Sequence, residues 1–193
     1  MSAIKQLIDK DDYYTAIENS EEVLEYVNGI IVAHAAPSAF HQRIITEVSR
    51  QIGNYIASHK GGCGVFVAPF EVCINDNDVV QPDISVVCDK NKITTRGCKG
   101  TPDFVVEVLS SNRAYDTITK DMLYEKAGVK EYCIIDPEAK LITVRRYMFK
   151  GSEEYNSKYN FSDNIVITAF GSPLDYFVLN LSALETEEYP WNK

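Results

Sequence analysis

The spacing of apolar and polar residues along the chain predicts its secondary structure. In EYVNGIIVAH (25–34), apolar residues flank Asn28-Gly29, a pair suited to a two-residue turn with positive φ, so the stretch predicts a β-hairpin. From Ser38 to Gly61 or Gly62 the apolar side chains recur at helical spacing, which predicts the longest helix of the chain, with Ser38 as its N-cap. The chain is therefore expected to start with a hairpin and a long helix.

Strand patterns dominate the middle of the chain. VFVAPFEVCI (65–74) and VVQPDISVVCD (79–89) each predict a strand, and DFVVEVLS (103–110) predicts a third. A helical segment over 114–127 is ended by Gly128. Further strands are predicted over 131–136, 141–147 and 164–170, with a closing apolar segment over 172–184. The order of a hairpin, then α-β-β-β-α-β, then further strands predicts a mixed α/β fold whose central sheet is covered by helices.

The length and composition indicate one globular domain over residues 1–193, with a core over about 39–147 and acidic extensions packed on it. No stretch approaches the roughly 20 apolar residues of a membrane helix. The first residues lack the basic and apolar regions of a signal peptide. We therefore expect a cytoplasmic protein without a membrane partner.

The net charge of −9 argues against nucleic-acid binding, because phosphate contacts need Lys and Arg. The distribution of the charge along the chain weakens that argument. Residues 1–25 and 152–193 each hold seven acids and two lysines, which leaves 14 acids and 15 bases between them. The middle of the chain is thus electrically neutral, and charge alone neither favours nor excludes nucleic acid.

The five cysteines predict reduced, structural thiols rather than disulfides or a zinc site. Their number is odd and no pair has C-x-x-C spacing. They are Cys63, Cys73, Cys88, Cys98 and Cys133.

Glu107 stands out because it lies in the middle of an apolar strand pattern, DFVVEVL. A buried carboxylate must be neutralised, paired or bound to a metal ion. Spacing alone leaves Glu107 open between a functional carboxylate and a structural ion pair. Asp103 lies four residues earlier on the same strand, about 13 Å away, so the two cannot share one metal ion, and Asp103 is interpreted as the polar start of the strand.

Asp83 has a different relation to Glu107. It belongs to the preceding predicted strand, and carboxylates on neighbouring strands can lie about 5 Å apart. Two such acids can bind Mg²⁺, which prefers oxygen ligands and keeps water molecules for chemistry.

Together, VVQPDISVVCD, GTPDFVVEVLS and AYDTITKDMLYEKAGVKEYCIIDPEAKLITVRR resemble the Uma-type family of restriction-endonuclease-like proteins. That family is placed in the PD-(D/E)XK nuclease superfamily, whose core has the order α-β-β-β-α-β. The resemblance runs from about residue 15 to 185 and includes YVNGIIV and PSAFHQRI. It implies a restriction-endonuclease-like fold with an N-terminal hairpin and additional C-terminal strands.

The resemblance also implies roles for individual residues. Asp83 and Glu107 would bind Mg²⁺, with Mn²⁺ as a substitute, and the carbonyl of Val108 would be a further ligand. The superfamily lysine should stand at residue 109, where this chain has Leu109. In the Uma-type branch the lysine lies on the following helix, which points to Lys120.

Helix geometry is compatible with that displacement of the lysine. Asp116, Lys120 and Tyr124 are spaced i, i+4, i+8 and share one helix face, whereas Ile118 and Met122 mark a different, apolar side. The long stem of Lys120 can reach back over the strand of Glu107. The alternative is an ordinary surface lysine paired with Asp116 or Glu125.

Several other residues are candidates for supporting roles. His41 would contact a phosphate or cap its helix, Tyr124 would support Lys120 or pack, and Glu47 is expected to pair with Arg43 or Arg50. His34 and His59 have no partners at metal-ligand spacing. A basic loop before the strand of Glu107 is either solvated or touches a phosphate backbone; its bases are Lys90, Lys92, Arg96 and Lys99.

The sequence therefore favours a Mg²⁺-dependent endonuclease acting on DNA, with Lys120 assisting the attacking water, and a homodimer is expected by analogy. The alternative is a catalytically silent regulatory or protein-interaction module with the same fold. A serine or cysteine hydrolase is the weakest alternative, because Ser110-Ser111 and Cys133 lack an evident His–acid set.

Overall fold

The computed structural model describes residues 8–34, 36–110, 112–172 and 175–185. Ser111, Pro173 and Leu174, on which parts of the sequence predictions fall, lie outside this range. The helices are α1 (Lys10–Glu18), α2 (Ala39–Ser58), α3 (Asp121–Ala127) and α4 (Ser182–Glu185). The strands are β1 (Val23–Val27), β2 (Ile30–His34), β3 (Gly64–Val67), β4 (Glu71–Asn75), β5 (Asp78–Val80), β6 (Ile84–Val87), β7 (Gly97–Lys99), β8 (Phe104–Val108), β9 (Glu131–Asp136), β10 (Leu141–Arg146), β11 (Asn156–Asn160), β12 (Ile165–Ser172) and β13 (Asp175–Leu179).

The central sheet has the strand order β11-β10-β9-β8-β6-β3. β8 and β9 run parallel, while β8 pairs antiparallel with β6 and β6 pairs antiparallel with β3. Read along the chain, α2, β3, β6, β8, α3 and β9 give the predicted α-β-β-β-α-β order, which is confirmed.

A second sheet, with the order β2-β1-β5-β4-β7, corrects the strand assignment. Each of the stretches 65–74 and 79–89 was predicted as one strand, but each is split at its proline, Pro69 or Pro82, into two strands that belong to different sheets. The physical reason is that proline has no N–H to donate to a strand ladder. The predicted hairpin at Asn28-Gly29 is confirmed, and both residues have positive φ.

The core lies on both faces of the central sheet. On one face, α2 and the C-terminal strands pack against alternate residues of β8, namely Phe104, Val106 and Val108. On the other face, α3 and the second sheet pack against Val105 and Leu109. The predicted alternation of the β8 side chains is confirmed, and Glu107 is directed to the side where the two sheets meet.

The helix after β8 begins with a π-helical turn, Tyr115–Lys120, that continues directly into α3. It ends at Gly128, whose φ of +82° matches the predicted glycine stop. Ile118 and Met122 are predicted to mark an apolar side of this helix. Both side chains are exposed, at 58% and 67%, so that side is directed to solvent and not to the core. The buried side of this helix carries Asp116 and Lys120 together with Tyr115, Leu123 and Tyr124.

The prediction of reduced thiols is wrong for one pair of cysteines. Cys63 and Cys88 form a disulfide, whereas Cys73, Cys98 and Cys133 are free. The pairing follows from the antiparallel register of β3 and β6, in which Gly64 lies opposite Val87 and the flanking cysteines meet. Such a cross-strand contact has no signature in the sequence spacing. Within the described residues, no helix is long and apolar enough to span a membrane.

Candidate active site

Two carboxylates from neighbouring strands of the central sheet meet at the floor of a cavity. Ile84 pairs with Val106, so Asp83, just before β6, comes opposite Glu107 on β8. The Val108 N–H donates to Asp83 Oδ2 at 2.7 Å, and Glu107 Oε2 lies 3.5 Å from the Asp83 backbone nitrogen. The expected juxtaposition of these two residues is present. The other Pro-Asp residue, Asp103, binds Lys130 and the Cys88 N–H instead.

Lys120 is buried among carboxylates rather than exposed at the surface. Its Nζ donates to Glu107 Oε1 at 2.8 Å, lies 3.0 Å from Glu25 Oε1, and is 3.7 Å from Asp116 Oδ1. The side chain is only 2% exposed. Sequence analysis considered a surface lysine paired with Asp116 or Glu125; the structure retains the Asp116 contact but buries the lysine.

Glu25, from β1 in the second sheet, is a member of this cluster that sequence analysis did not identify. It is fully buried, accepts a hydrogen bond from the Gln81 N–H at 2.6 Å, and lies 2.9 Å from His34 Nε2. A signal was available: in VLEYV a glutamate interrupts an apolar strand, the same pattern that marks Glu107 in FVVEV. His34 therefore has a partner, although not one visible from spacing.

His41, at the start of α2, reaches the same carboxylate pair. Its Nε2 lies 2.9 Å from the Val108 carbonyl oxygen and 3.3 Å from Asp83 Oδ2. Its backbone N–H is capped by the Ser38 hydroxyl. Of the two roles that the sequence allows for His41, a phosphate contact or a helix cap, the cap is taken by Ser38, and the imidazole lies beside Asp83.

The cavity has a volume of about 250 Å³ and lies where α2, the second sheet and the central sheet meet. Its polar floor carries Asp83, Glu107, Asp116 and Lys120, and its walls carry two histidines, His34 and His41. The remaining lining residues are Val23, Pro37, Gln42, Ile45, Val67, Ala68, Pro69, Gln81, Val108 and Ser110. The cavity thus combines a cluster of charged side chains with a lining that is otherwise mostly apolar.

The pKa values of the acids in this cluster are shifted in opposite directions. Burial raises the pKa of Glu107 well above its usual range, although Lys120 opposes the shift. Burial also raises the pKa of Asp116. For Glu25, the effect of burial is outweighed by Lys120 and His34, which lower its pKa to about 2. Burial would lower the pKa of Lys120, but Glu107, Glu25 and Asp116 raise it well above its usual range, so the ammonium stays charged.

The two other supporting candidates have different positions. Tyr124 is fully buried and donates its hydroxyl to Glu107 Oε1 at 2.9 Å, so it belongs to the site. Glu47 accepts hydrogen bonds from Arg50 and Gln51 on its own helix, and it does not line the described cavity. The expected ion pair of Glu47 with Arg50 is present.

The basic loop lies away from the cavity floor. Lys92 donates to the Thr101 carbonyl at 2.7 Å, and Arg96 Nε lies 3.6 Å from a Glu71 carboxylate oxygen. Lys90 belongs to a short 3-10 turn and Lys99 ends β7. None of these four described residues lines the cavity. Their contact with nucleic acid stays a prediction.

The donor atoms at the floor are compatible with Mg²⁺. Within the described residues, no group of three or more His, Cys, Asp or Glu side chains is arranged to hold a metal ion. Mg²⁺, however, is usually bound through one or two carboxylates and keeps several water molecules. Asp83 and Glu107 supply two carboxylates and Val108 a carbonyl oxygen. At 3.5 Å from the Asp83 nitrogen, Glu107 Oε2 has only a weak contact there, so the donor set fits.

Comparison with known proteins relates this chain to a family. A family model described as "Uma2: Putative restriction endonuclease" matches residues 11–168. A protein of Synechocystis sp. described as "Uncharacterized protein sll1609" is 26% identical over 139 residues, which cover 69% of this chain and 77% of the relative. A second protein of that organism, "Uncharacterized protein slr1290", is 31% identical over 116 residues, which cover 59% of this chain and 60% of the relative.

A solved structure shares the fold. The crystal structure of a "putative nuclease belonging to DUF820" from Anabaena variabilis aligns with a TM-score of 0.69 at 23% sequence identity. The alignment covers 90% of this chain and 95% of that one. The likeness supports the α/β restriction-endonuclease-like fold that the strand order indicates.

Proposed function

Since the chain belongs to the Uma2 family of restriction-endonuclease-like proteins, we propose that it is a Mg²⁺-dependent nuclease that hydrolyses phosphodiester bonds in DNA. The observation that carries the proposal is the opposition of Asp83 and Glu107 across β6 and β8, with the Lys120 ammonium 2.8 Å from Glu107. Two carboxylates are enough to bind a Mg²⁺ ion that assists hydrolysis, and an adjacent fixed positive charge can stabilise negative charge at the site.

Asp83, Glu107 and the carbonyl of Val108 are the residues that would hold Mg²⁺. When bound, the ion would polarise a phosphoryl oxygen and lower the pKa of the attacking water. Mn²⁺, with similar preferences for oxygen ligands, would be the substitute.

The chain's own residues fix the floor of the cavity. Lys120 is enclosed by three carboxylates and keeps its proton, so it acts as a fixed positive charge that holds Glu107 and balances its charge. The Tyr124 hydroxyl holds the same Glu107 oxygen from a second direction. The Lys120, Glu25 and Glu107 side chains are at most 5% exposed, and burial of this kind strengthens the interactions between their charges.

Cleavage assays test the proposal. Purified protein is incubated with plasmid, short DNA duplexes and RNA, in Mg²⁺, in Mn²⁺ and in a chelator. We expect metal-dependent cleavage of DNA that falls by at least about 100-fold in Asp83→Ala and Glu107→Ala. Asp103→Asn, at the other Pro-Asp pair, is the matched control and should retain activity. Full cleavage by Glu107→Ala, or cleavage in chelator, would contradict the assignment.

One observation favours a second candidate function, a catalytically silent module of nuclease fold. The positive charge of Lys120 is taken up by three carboxylates, and the described basic-loop residues do not line the cavity. Calorimetric titration with Mn²⁺ separates the candidates. Absence of binding, together with absence of cleavage, would support the silent module.

The homodimer is part of the proposal, since a cut through both strands needs two active sites or two binding events. Light scattering of the purified protein, alone and with a DNA duplex, tests it.

A further inference from the structure

Proton donors at the cavity differ in their availability. Among the described lining residues, three carry a nitrogen that can hold a transferable proton: Lys120, His41 and His34. A phosphodiester that is hydrolysed must release an alkoxide, a poor leaving group unless it is protonated as it departs. The lining acids with raised pKa values, Glu107 and Asp116, face the Lys120 ammonium at 2.8 and 3.7 Å, which leaves the three nitrogens as candidates for supplying that proton.

Two of the three are engaged. Lys120 Nζ lies within 3.7 Å of three carboxylates and the side chain is 2% exposed, so its protons are engaged by those carboxylates. The His41 Nε2 contacts Asp83 Oδ2 and the Val108 carbonyl oxygen, which are atoms assigned above to the metal ion.

The contacts of His34 are those expected of a general acid that is held in place beside a substrate. It ends β2, lines the cavity, and has a side chain that is 25% exposed. Its Nε2 lies 2.9 Å from Glu25 Oε2, and Glu25 is fully buried. A buried carboxylate this close to an imidazole nitrogen limits the orientations that the ring can take. Nε2 is buried against Glu25, so Nδ1 is the ring nitrogen that is left for a substrate in the cavity.

The surroundings of His34 hold the pair in place. Its ring lies beside that of Tyr115, with ring centroids 5.8 Å apart. Glu25 is fixed from two further sides, by the Gln81 N–H at 2.6 Å and by Lys120 at 3.0 Å. The charged groups that face the pair are therefore Lys120 and, from the same π-helical turn, Asp116.

From this geometry we infer that His34 is a catalytic residue, the general acid that protonates the leaving oxygen; the inference rests on the proposed function. Water attacks phosphorus, and the bond from phosphorus to the leaving oxygen breaks with its electron pair on that oxygen. The oxygen takes the proton of His34 Nδ1, and the proton lost by the attacking water passes to solvent. His34 then regains a proton from solvent, so that one phosphodiester and one water give a phosphomonoester and an alcohol.

A pair of substrates tests this role. Once the cleaved linkage of a DNA duplex is mapped, the same duplex is made with sulfur in place of the leaving bridging oxygen. A thiolate departs without protonation, so the sulfur duplex does not need a general acid. We expect His34→Ala and His34→Gln to slow cleavage of the oxygen duplex by about 10²–10⁴-fold and to leave cleavage of the sulfur duplex within about threefold.

Three controls make the outcome decisive. Glu107→Ala should lose activity on both duplexes. His59→Ala should lose it on neither, since His59 pairs with Asp175 outside the cavity. Thermal unfolding shows that each variant is folded. An equal loss on both duplexes, or no loss on the oxygen duplex, in the His34 variants would overturn the inference and leave the proposed function standing. No cleavage by the unsubstituted protein would overturn both.

Discussion

Two buried glutamates on neighbouring parallel strands of the central sheet have opposite surroundings. Glu131, on β9, is bound by Arg146 Nε at 2.7 Å, by the Thr168 hydroxyl at 2.9 Å, and by the backbone N–H groups of Thr168 and Ala169 at 2.7 and 2.8 Å. One carboxylate meets one cation there, and both of its oxygens are satisfied. Glu107, on β8, shares the Lys120 ammonium with Glu25 and Asp116 and has Asp83 beside it.

The difference separates a structural ion pair from a candidate site. The Glu131 pair is balanced in charge and ties β9 and β10 to β12. The Glu107 cluster has a surplus of negative charge, and it opens on a cavity. Surplus carboxylates in a concave site raise the free energy of the empty protein and are compensated when a cation binds. The following predictions test this contrast, from the largest expected change in unfolding free energy to the smallest.

Removing the structural carboxylate should have the largest effect. Glu131→Ala leaves Arg146, which is 8% exposed, without its carboxylate, and we expect the unfolding free energy to fall by about 3–5 kcal/mol. Urea denaturation measures it. The double variant Glu131→Met, Arg146→Met should lose much less, because no unpaired charge remains. A loss of less than about 1 kcal/mol in Glu131→Ala would mean that the Glu131 pair does not stabilise the fold as a buried ion pair should.

Removing the shared cation should cost somewhat less and depend on pH. We expect Lys120→Met to lose about 3 kcal/mol near pH 8, since burial forces Glu107 and Asp116 to take up protons instead of staying charged. Their pKa values are raised, so the native state holds more protons than the unfolded state and the unfolding free energy falls as pH rises. The cost should therefore be smaller near pH 5.

Denaturation at both pH values checks this expectation. Lys130→Met is the matched control, because Lys130 is exposed and its pair with Asp103 should contribute at most about 1 kcal/mol. An equal cost of Lys120→Met at both pH values would show that the carboxylates do not take up protons.

The tyrosine that holds Glu107 should have an intermediate effect. Tyr124→Phe removes one hydrogen bond to a carboxylate in a fully buried place, and we expect a loss of about 1.5–2 kcal/mol by urea denaturation. The ring packing against Tyr132 is retained in this variant. A higher unfolding free energy in Tyr124→Phe would mean that the buried hydroxyl destabilises the protein.

Neutralising Glu107 itself should have the smallest effect. In Glu107→Gln, Lys120 keeps Glu25 and Asp116, and one surplus charge disappears, so the unfolding free energy should change by less than about 1 kcal/mol. Glu131→Gln should lose about 1–3 kcal/mol in the same assay. Equal losses in the two glutamine variants would mean that both glutamates are structural.

Local patterns in the sequence predicted the start of α2, the first hairpin and the burial of Glu107. Ser38 caps α2 as predicted, Asn28-Gly29 turns the first hairpin, and the interrupted apolar strand around Glu107 marks a buried carboxylate. Each of these features depends on residues close together in the chain. The adjacency of Asp83 and Glu107 needed only the pairing of two successive strands of the central sheet.

What depended on distant contacts was not predictable in the same way. The prolines at 69 and 82 divide strands between two sheets, but the sequence does not state which sheet receives each half. The number of carboxylates that contact Lys120 depends on the position of β1, because Glu25 on that strand is one of them. The Cys63–Cys88 bond likewise depends on the register of β3 and β6.

The position of Glu25 in the second sheet has a consequence for the order of folding. Lys120 can meet Glu25 only after the N-terminal hairpin has docked on a helix that is synthesised much later, and contacts between such distant segments are formed at a high cost in chain entropy. Until that docking occurs, Lys120 has only Glu107 and Asp116 as described carboxylate partners. The cavity is therefore expected to mature last, so that a partly folded chain would carry the acid pair without a complete active site.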